Sequence, residues 1–330
     1  MNAFAAFFAD LIVSASVGAD TTTPFFSANQ SPLIQVHDIP KIDTARVLKD
    51  GDMRYHWVMD LASSYTFKRS GNESVLLDGE TTRLTFNYVR GLANGWEWGV
   101  QIPYVMHNPG TLDNVIVQWH DLFGFPQGGR DKVPEDRLLY RYVRNGITEL
   151  ELTQHTDGIG DIRLAGGWQW ADEEDERLTR IALRAALSLP SGDPNQLQGS
   201  GSYDAAFWLT ADQELGWFGK PGGLYGGGGV LFMGNGEVLP ALQNNAALFG
   251  SVGAGMQLLP RTTFKLQGDF HTPVYGDSNL KPVSANSLQV VFGADVQLTK
   301  KTALVIAVGE DLVVSASPDV VFHLELRLTE

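Results

Sequence analysis

The sequence predicts an all-β chain: a closed antiparallel transmembrane β-barrel of about twelve strands with a partly helical extracellular loop. Three observations carry this. Apolar and polar side chains alternate at period two over segments longer than ordinary strands. The connections between those segments alternate short and long, as the periplasmic turns and external loops of outer-membrane barrels do. The apolar faces of the segments carry no Lys, Arg, Asp or Glu, and a Lys or Arg facing lipid at mid-membrane costs roughly 2–4 kcal/mol.

Composition narrows the classes. Hydrophobic residues make up 43% of the 330, and the mean hydropathy is -0.09. No stretch reaches the roughly 20 apolar residues of a spanning helix. The 36 glycines and 10% aromatics suit sheets with tight turns. A formal charge of -14 argues against a nucleic-acid partner, which calls for a basic face. With no cysteine, disulfide scaffolds and thiolate metal sites are excluded.

Residues 1–19 read as a signal peptide. Positions 3–18 are mostly small and apolar, and Val17-Gly18-Ala19 before Asp20 resembles a cleavage site. Residues 20–52 fit either a periplasmic tail or a plug inside the barrel. Their Pro24, Pro32 and Pro40 break periodicity, while Phe25, Phe26, Leu33, Ile34 and Ile39 favour a packed segment.

The barrel is expected over 53–330. Its first strand, 53–67, sets Tyr55, Trp57, Met59 and Leu61 against Arg54, His56 and Asp60. Segment 82–89 opposes Leu84 and Phe86 to Arg83 and Asn87, and 96–106 opposes Trp96, Trp98 and Ile102 to Glu97 and Gln101. Segment 160–170 opposes Leu164, Trp168 and Trp170 to Asp161 and Arg163, and 177–189 opposes Leu183 and Leu187 to Arg180 and Arg184. In 203–213 and 223–233 glycine dilutes the pattern, above all at Gly226 to Gly229. Crowding inside a barrel explains that run better than a phosphate cradle, since no helix pattern follows. Then come 246–258, 262–271, 287–298, 302–309 and 319–328, the last opposing Phe322, Leu324 and Leu326 to His323, Glu325 and Arg327. Short turns are expected near 91–95, 171–176, 214–221, 259–261 and 299–301, and long loops near 68–80, 107–147, 190–202, 234–245, 272–286 and 310–318. The exterior tryptophans suit the aromatic girdles of a membrane interface.

The insert 107–147 is too long for a featureless loop. Leu112, Val115, Ile116, Trp119 and Phe123 recur at helical spacing. The insert is either a lid over the mouth or a cover for apolar strand ends. Trp119, His120, Asp121, Phe123, Arg130 and Asp131 are its gate or loop-brace candidates, with Arg130 suited to a bidentate carboxylate contact.

The runs Asn29-Gln30-Ser31-Pro32, Ile39-Pro40 and Ala45-Arg46, and above all 119–131, resemble a family of proteobacterial outer-membrane barrels of unknown function. Segments 158–162 and 189–193 resemble the wider group that contains the phenol-degradation (meta-pathway) outer-membrane proteins. The resemblance spans roughly 25–328. It implies an outer-membrane barrel in contact with membrane lipid and lipopolysaccharide, handled by the barrel-assembly machinery during biogenesis. It supplies no reaction.

The polar faces together form the lumen. Its candidate lining or constriction residues are Arg54, Asp60, Arg83, Glu97, Arg163, Arg180, Arg184, Asp269, His271, Asp295, His323, Glu325 and Arg327. Their signs balance, which reads as ion pairs bracing the wall more simply than as a selective pore. The Ser and His residues form no pair at strand spacing on the lipid face, so no catalytic site, metal or cofactor is assigned. A barrel of twelve strands lies between the filled eight-strand and the open sixteen-strand case. The expectation is a narrow passive channel or small-molecule importer, and the resemblance to the phenol-degradation proteins implies hydrophobic solutes by analogy. The alternatives are a non-transporting surface barrel with a closed lumen and, further off, a membrane hydrolase.

Overall fold

The computed structural model describes residues 20–110, 136–170, 179–312 and 316–330. Residues 1–19, expected to be a signal peptide, and the part of the insert expected to be helical, with Trp119, His120, Asp121, Phe123, Arg130 and Asp131, lie outside the described residues.

Alternating side chains force the chain into strands that hide one face, and neighbours pair in sequence order. The strands are β1 (Met53–Ser70), β2 (Glu73–Leu92), β3 (Trp96–Asn108), β4 (Leu139–Arg144), β5 (Ile147–Leu152), β6 (Thr156–Ile159), β7 (Ile162–Gln169) and β8 (Arg180–Leu189). They continue as β9 (Asp204–Trp217), β10 (Lys220–Met233), β11 (Ala246–Leu259), β12 (Thr262–His271), β13 (Ser287–Gln297), β14 (Thr302–Asp311) and β15 (Val320–Thr329). Every pairing is antiparallel, and β15 pairs with β1 from Arg54↔Thr329 to Ser63↔Val320. That contact closes the sheet into a cylinder, so no edge is left in the barrel wall.

The wall has twelve staves. β6 and β7 both pair with β3, at Tyr104↔Ile159 and Gln101↔Arg163, and form one interrupted stave. β4 and β5 are a hairpin, joined at Asn145 and Gly146, that pairs with Glu73–Asp78 of β2 beyond the end of β3. Both turn residues hold positive φ, 53° and 77°, the signature of a tight hairpin. Phe218 and Gly219 repeat this geometry between β9 and β10.

Three expectations need correction. Residues 68–80 are not a long loop: β1 and β2 run on together to Ser70↔Glu73. Residues 214–221 are mostly strand, with the turn confined to two residues. The part of the insert from 139 onward is the β4–β5 hairpin.

One end of the barrel carries short turns and both Met53 and Glu330; the other carries the long loops. The exterior is apolar, with Leu209, Val252, Leu266 and Ile306 at least half exposed. Outward charges such as Arg90 and Lys220 stand at the short-turn rim, and Asp157 and Glu310 at the long-loop rim. At the short-turn rim Trp96 lies 6.1 Å from Trp168, Tyr88 5.6 Å from Trp98 and Tyr55 5.9 Å from Trp57, an aromatic girdle of the kind found at membrane interfaces.

Candidate functional site

The lumen is occupied by the chain's own residues 20–48. Every residue from 29 to 45 is buried. A peptide pass inside a cylinder brings unpaired amides and carbonyls with it, and each needs a partner. The inward side chains of the wall supply them.

The ascending arm climbs beside β12 from the short-turn end. Lys265 Nζ donates to the Thr23 carbonyl at 2.8 Å, and Phe25 N donates to Gln267 Oε1 at 2.9 Å. Ser27 Oγ donates to Asp269 Oδ2 at 2.6 Å, and Asn29 Nδ2 lies 2.8 Å from His271 Nε2. The offset between partners is 242 residues in each case, and it holds as far as the bond from Tyr275 Oη to the Leu33 carbonyl. The arm is thus extended and parallel to β12, matched to its period of two. Where its backbone meets the wall, glycine leaves room. A Cβ on Gly255 would lie 2.4 Å from the Thr21 carbonyl oxygen, and one on Gly223 2.4 Å from Thr22 Cγ2. Gly227 in the glycine-rich run faces Ile42 of the descending arm.

At the top, Leu33, Ile34 and Val36 pack against Leu197, Leu239, Leu242, Val274, Leu280 and Val283 from the long loops. A short 3-10 turn, Gln35–His37, reverses the chain, and Asp38 follows at φ 43°. Gln35 Nε2 donates to the Leu197 carbonyl at 2.6 Å, and His37 Nε2 is 3.1 Å from Tyr275 Oη.

The descending arm is fixed by charge. Asp38 takes Arg83 on one oxygen and Arg163 on the other, the latter at 3.1 Å, with Gln101 Nε2 also donating at 3.1 Å. Burial alone would raise the Asp38 carboxyl, but Arg163, Arg83 and Lys41 hold it below the ordinary aspartate range. Arg54 meets Asp43 at 2.9 Å. Arg184 donates to the Thr44 carbonyl at 2.6 Å and pairs with Glu97 at 2.5 Å, while Glu97 also accepts from Leu48 N. Ala45 N donates to Asp212, which pairs with Arg180. The segment then leaves through the short-turn end into β1.

The remaining lumen candidates are paired along the β1–β15 seam and beside it. His323 meets Asp60 at 2.6 Å, and His56 meets Glu325 at 2.7 Å. Arg327 joins Glu325, Asp295 and Asp20, and Lys265 joins Asp295. All thirteen wall candidates point inward. Many of their partners lie on the inserted segment, not elsewhere on the wall. Sequence reasoning missed those partners, Asp20, Gln35, Asp38 and Asp43. It also placed His107 in a loop, whereas His107 is the penultimate residue of β3, faces inward and bonds Thr81 and the Leu197 carbonyl. Among the described residues no cluster of three or more His, Asp or Glu is arranged to hold a metal ion.

A family model described as "Protein of unknown function (DUF3187)" matches residues 6–329. Among solved structures, the COG4313 outer membrane channel from Pseudomonas putida F1 is similar, with 14% identity and a TM-score of 0.53 over 88% of this chain and 99% of that one. The KdgM porin is 6% identical with a TM-score of 0.42 over 84% and 98%. The Pseudomonas putida toluene transporter TodX is 9% identical with a TM-score of 0.33 over 94% of each chain. No curated protein matches the sequence.

Proposed function

The chain belongs to that family of unknown function, and on this premise we propose that it is an outer-membrane channel for small solutes, held closed by its own residues 20–48. The observation that carries the reading is the filling of the lumen. The wall does not close itself with apolar side chains. It presents charged and amide groups to a segment that is covalently continuous with the wall only at β1. Such a wall remains hydrophilic if the segment leaves. The apolar belt calls for lipid around the cylinder, and bacterial barrels of this build reside in the outer membrane, with lipopolysaccharide outside and the assembly machinery as a biogenesis partner. A solved structure of similar fold is described as an outer membrane channel, which supports the reading by analogy.

Planar-bilayer recording tests it. The full chain is expected to conduct rarely, and a chain lacking 20–48 steadily. The sequence has no cysteine, so Ser27→Cys with Asp269→Cys, whose native side chains meet at 2.6 Å, makes a clean tether. The tethered channel should be silent until reduced. A folded deletion variant that stays silent overturns the reading. It would favour the closed surface barrel, which the burial of every residue from 29 to 45 also fits.

A further inference from the structure

A cavity of about 50 Å³ lies between the descending arm and β2, β3, β7, β8 and β9, and its lining includes Phe26, Lys41, Glu97, Arg163, Arg184 and Trp208. Its unpaired charge is of one sign. Lys41 is 4% exposed, yet among the described residues its ammonium makes no ion pair and no hydrogen bond; it stands 5.3 Å from the centre of the Phe26 ring. Arg184 Nε and Trp208 Nε1 are buried without a hydrogen-bond partner. The carboxylates that border the same space are already neutralised, Asp43 by Arg54 and Glu97 by Arg184. The site therefore has donors to spare and a single ammonium without an ion pair, and its remaining acceptors are the neutral amide oxygens of Asn87 and Gln101. A buried charge in that condition is costly until something pairs it.

We propose that this cavity binds a small monocarboxylate, its oxygens accepting from Lys41 and its neighbouring donors and its short apolar body lying against Phe26. One unpaired cation calls for a monoanion, not a phosphate dianion. One water needs about 10–15 Å³ of such space, so the cavity takes a few water-sized groups, the size of acetate or propionate. The low position of the Lys41 ammonium agrees: burial, then the neighbouring Arg83, pushes it down to about 8 against the pull of Asp38 and Asp60, and a bound carboxylate would restore it. The proposal deepens the channel reading by naming a solute class, and it rests on that reading only for the site's place on a solute path.

The test is calorimetric titration of sodium acetate and sodium propionate into the folded full chain in detergent. Saturable one-to-one binding is expected. Lys41→Met should weaken it by at least about tenfold, equivalent to one lost charge-assisted contact, while Lys41→Arg should retain most of it. Ala165→Leu fills the cavity from β7 without removing a charge, and it should weaken binding to the same degree even if Lys41→Met unseats the arm. Absence of saturable heat up to about 100 mM, unchanged affinity in Ala165→Leu, or chloride binding as tightly as acetate overturns the proposal. Calorimetry needs no ion flow, so a folded 20–48 deletion variant that stays silent, alongside intact binding in the full chain, would sink the channel reading and leave this site standing.

Discussion

Asp38 holds two guanidiniums at once inside the lumen, and its removal leaves both buried without their shared counter-charge. Breaking a buried ion pair from one side costs about 3–5 kcal/mol, far more than an exposed pair contributes. Asp38→Ala is therefore expected to unseat the descending arm. Limited proteolysis reads this directly: the 20–48 segment should become cleavable at the low protease concentrations the parent resists. Equal protection in the variant would mean that the apolar apex around Leu33 and Ile34 holds the segment alone. The wall residues of this network were legible in the sequence, because Arg83 and Arg163 fall on the polar faces of segments that alternate at period two. Asp38, Lys41 and Asp43 were not. Their burial comes from a non-strand pass through the barrel, where three prolines interrupt any period, and nothing local marks a carboxylate as the partner of an arginine 45 or 125 residues away.

The stave formed by β6 and β7 is broken at Gly160 and Asp161, and the break has a use. Asp161 turns inward and accepts from Gly192 N at 2.9 Å and from Ser200 N at 2.8 Å, tying the loop 190–202 across the mouth. That loop supplies Leu197, whose carbonyl caps both Gln35 and His107. Hydrogen bonds to a charged acceptor contribute about 1.5–3 kcal/mol each. Asp161→Ala should thus loosen the loop without opening the wall. Hydrogen exchange is expected to accelerate at Gly192 and Ser200 while β7 and β8 remain protected; unchanged exchange at both amides would show that the loop is held by its apolar contacts. In the sequence this spot was legible only as the start of segment 160–170, with Asp161 on its polar face. The stretch 68–80 was misread for a different physical reason. Above the bilayer a strand no longer needs an apolar outer face, so the Lys68 to Glu73 stretch loses the alternation that reveals strands while keeping its ladder.

Across the whole molecule, depth in the membrane is what separates this cylinder from a soluble barrel of the same topology. Leu266 is 58% exposed at the middle of β12, between Ala254 and Phe292 on the neighbouring staves. Leu92 is also outward and exposed, but it ends β2 at the short-turn rim, two residues beyond the exposed Arg90. The two sites offer the same chemistry at different depths. Arginine at the bilayer midplane costs about 2–4 kcal/mol and near the interface about 0–1. Leu266→Arg should therefore destabilise the barrel by the larger amount and Leu92→Arg by the smaller, measured as folding equilibria in urea with lipid vesicles. In water both substitutions would replace an exposed leucine with an exposed arginine and neither would matter much. Equal costs at the two positions would remove the lipid from around the belt, and with it the reason for a hydrophilic, segment-filled lumen to exist at all.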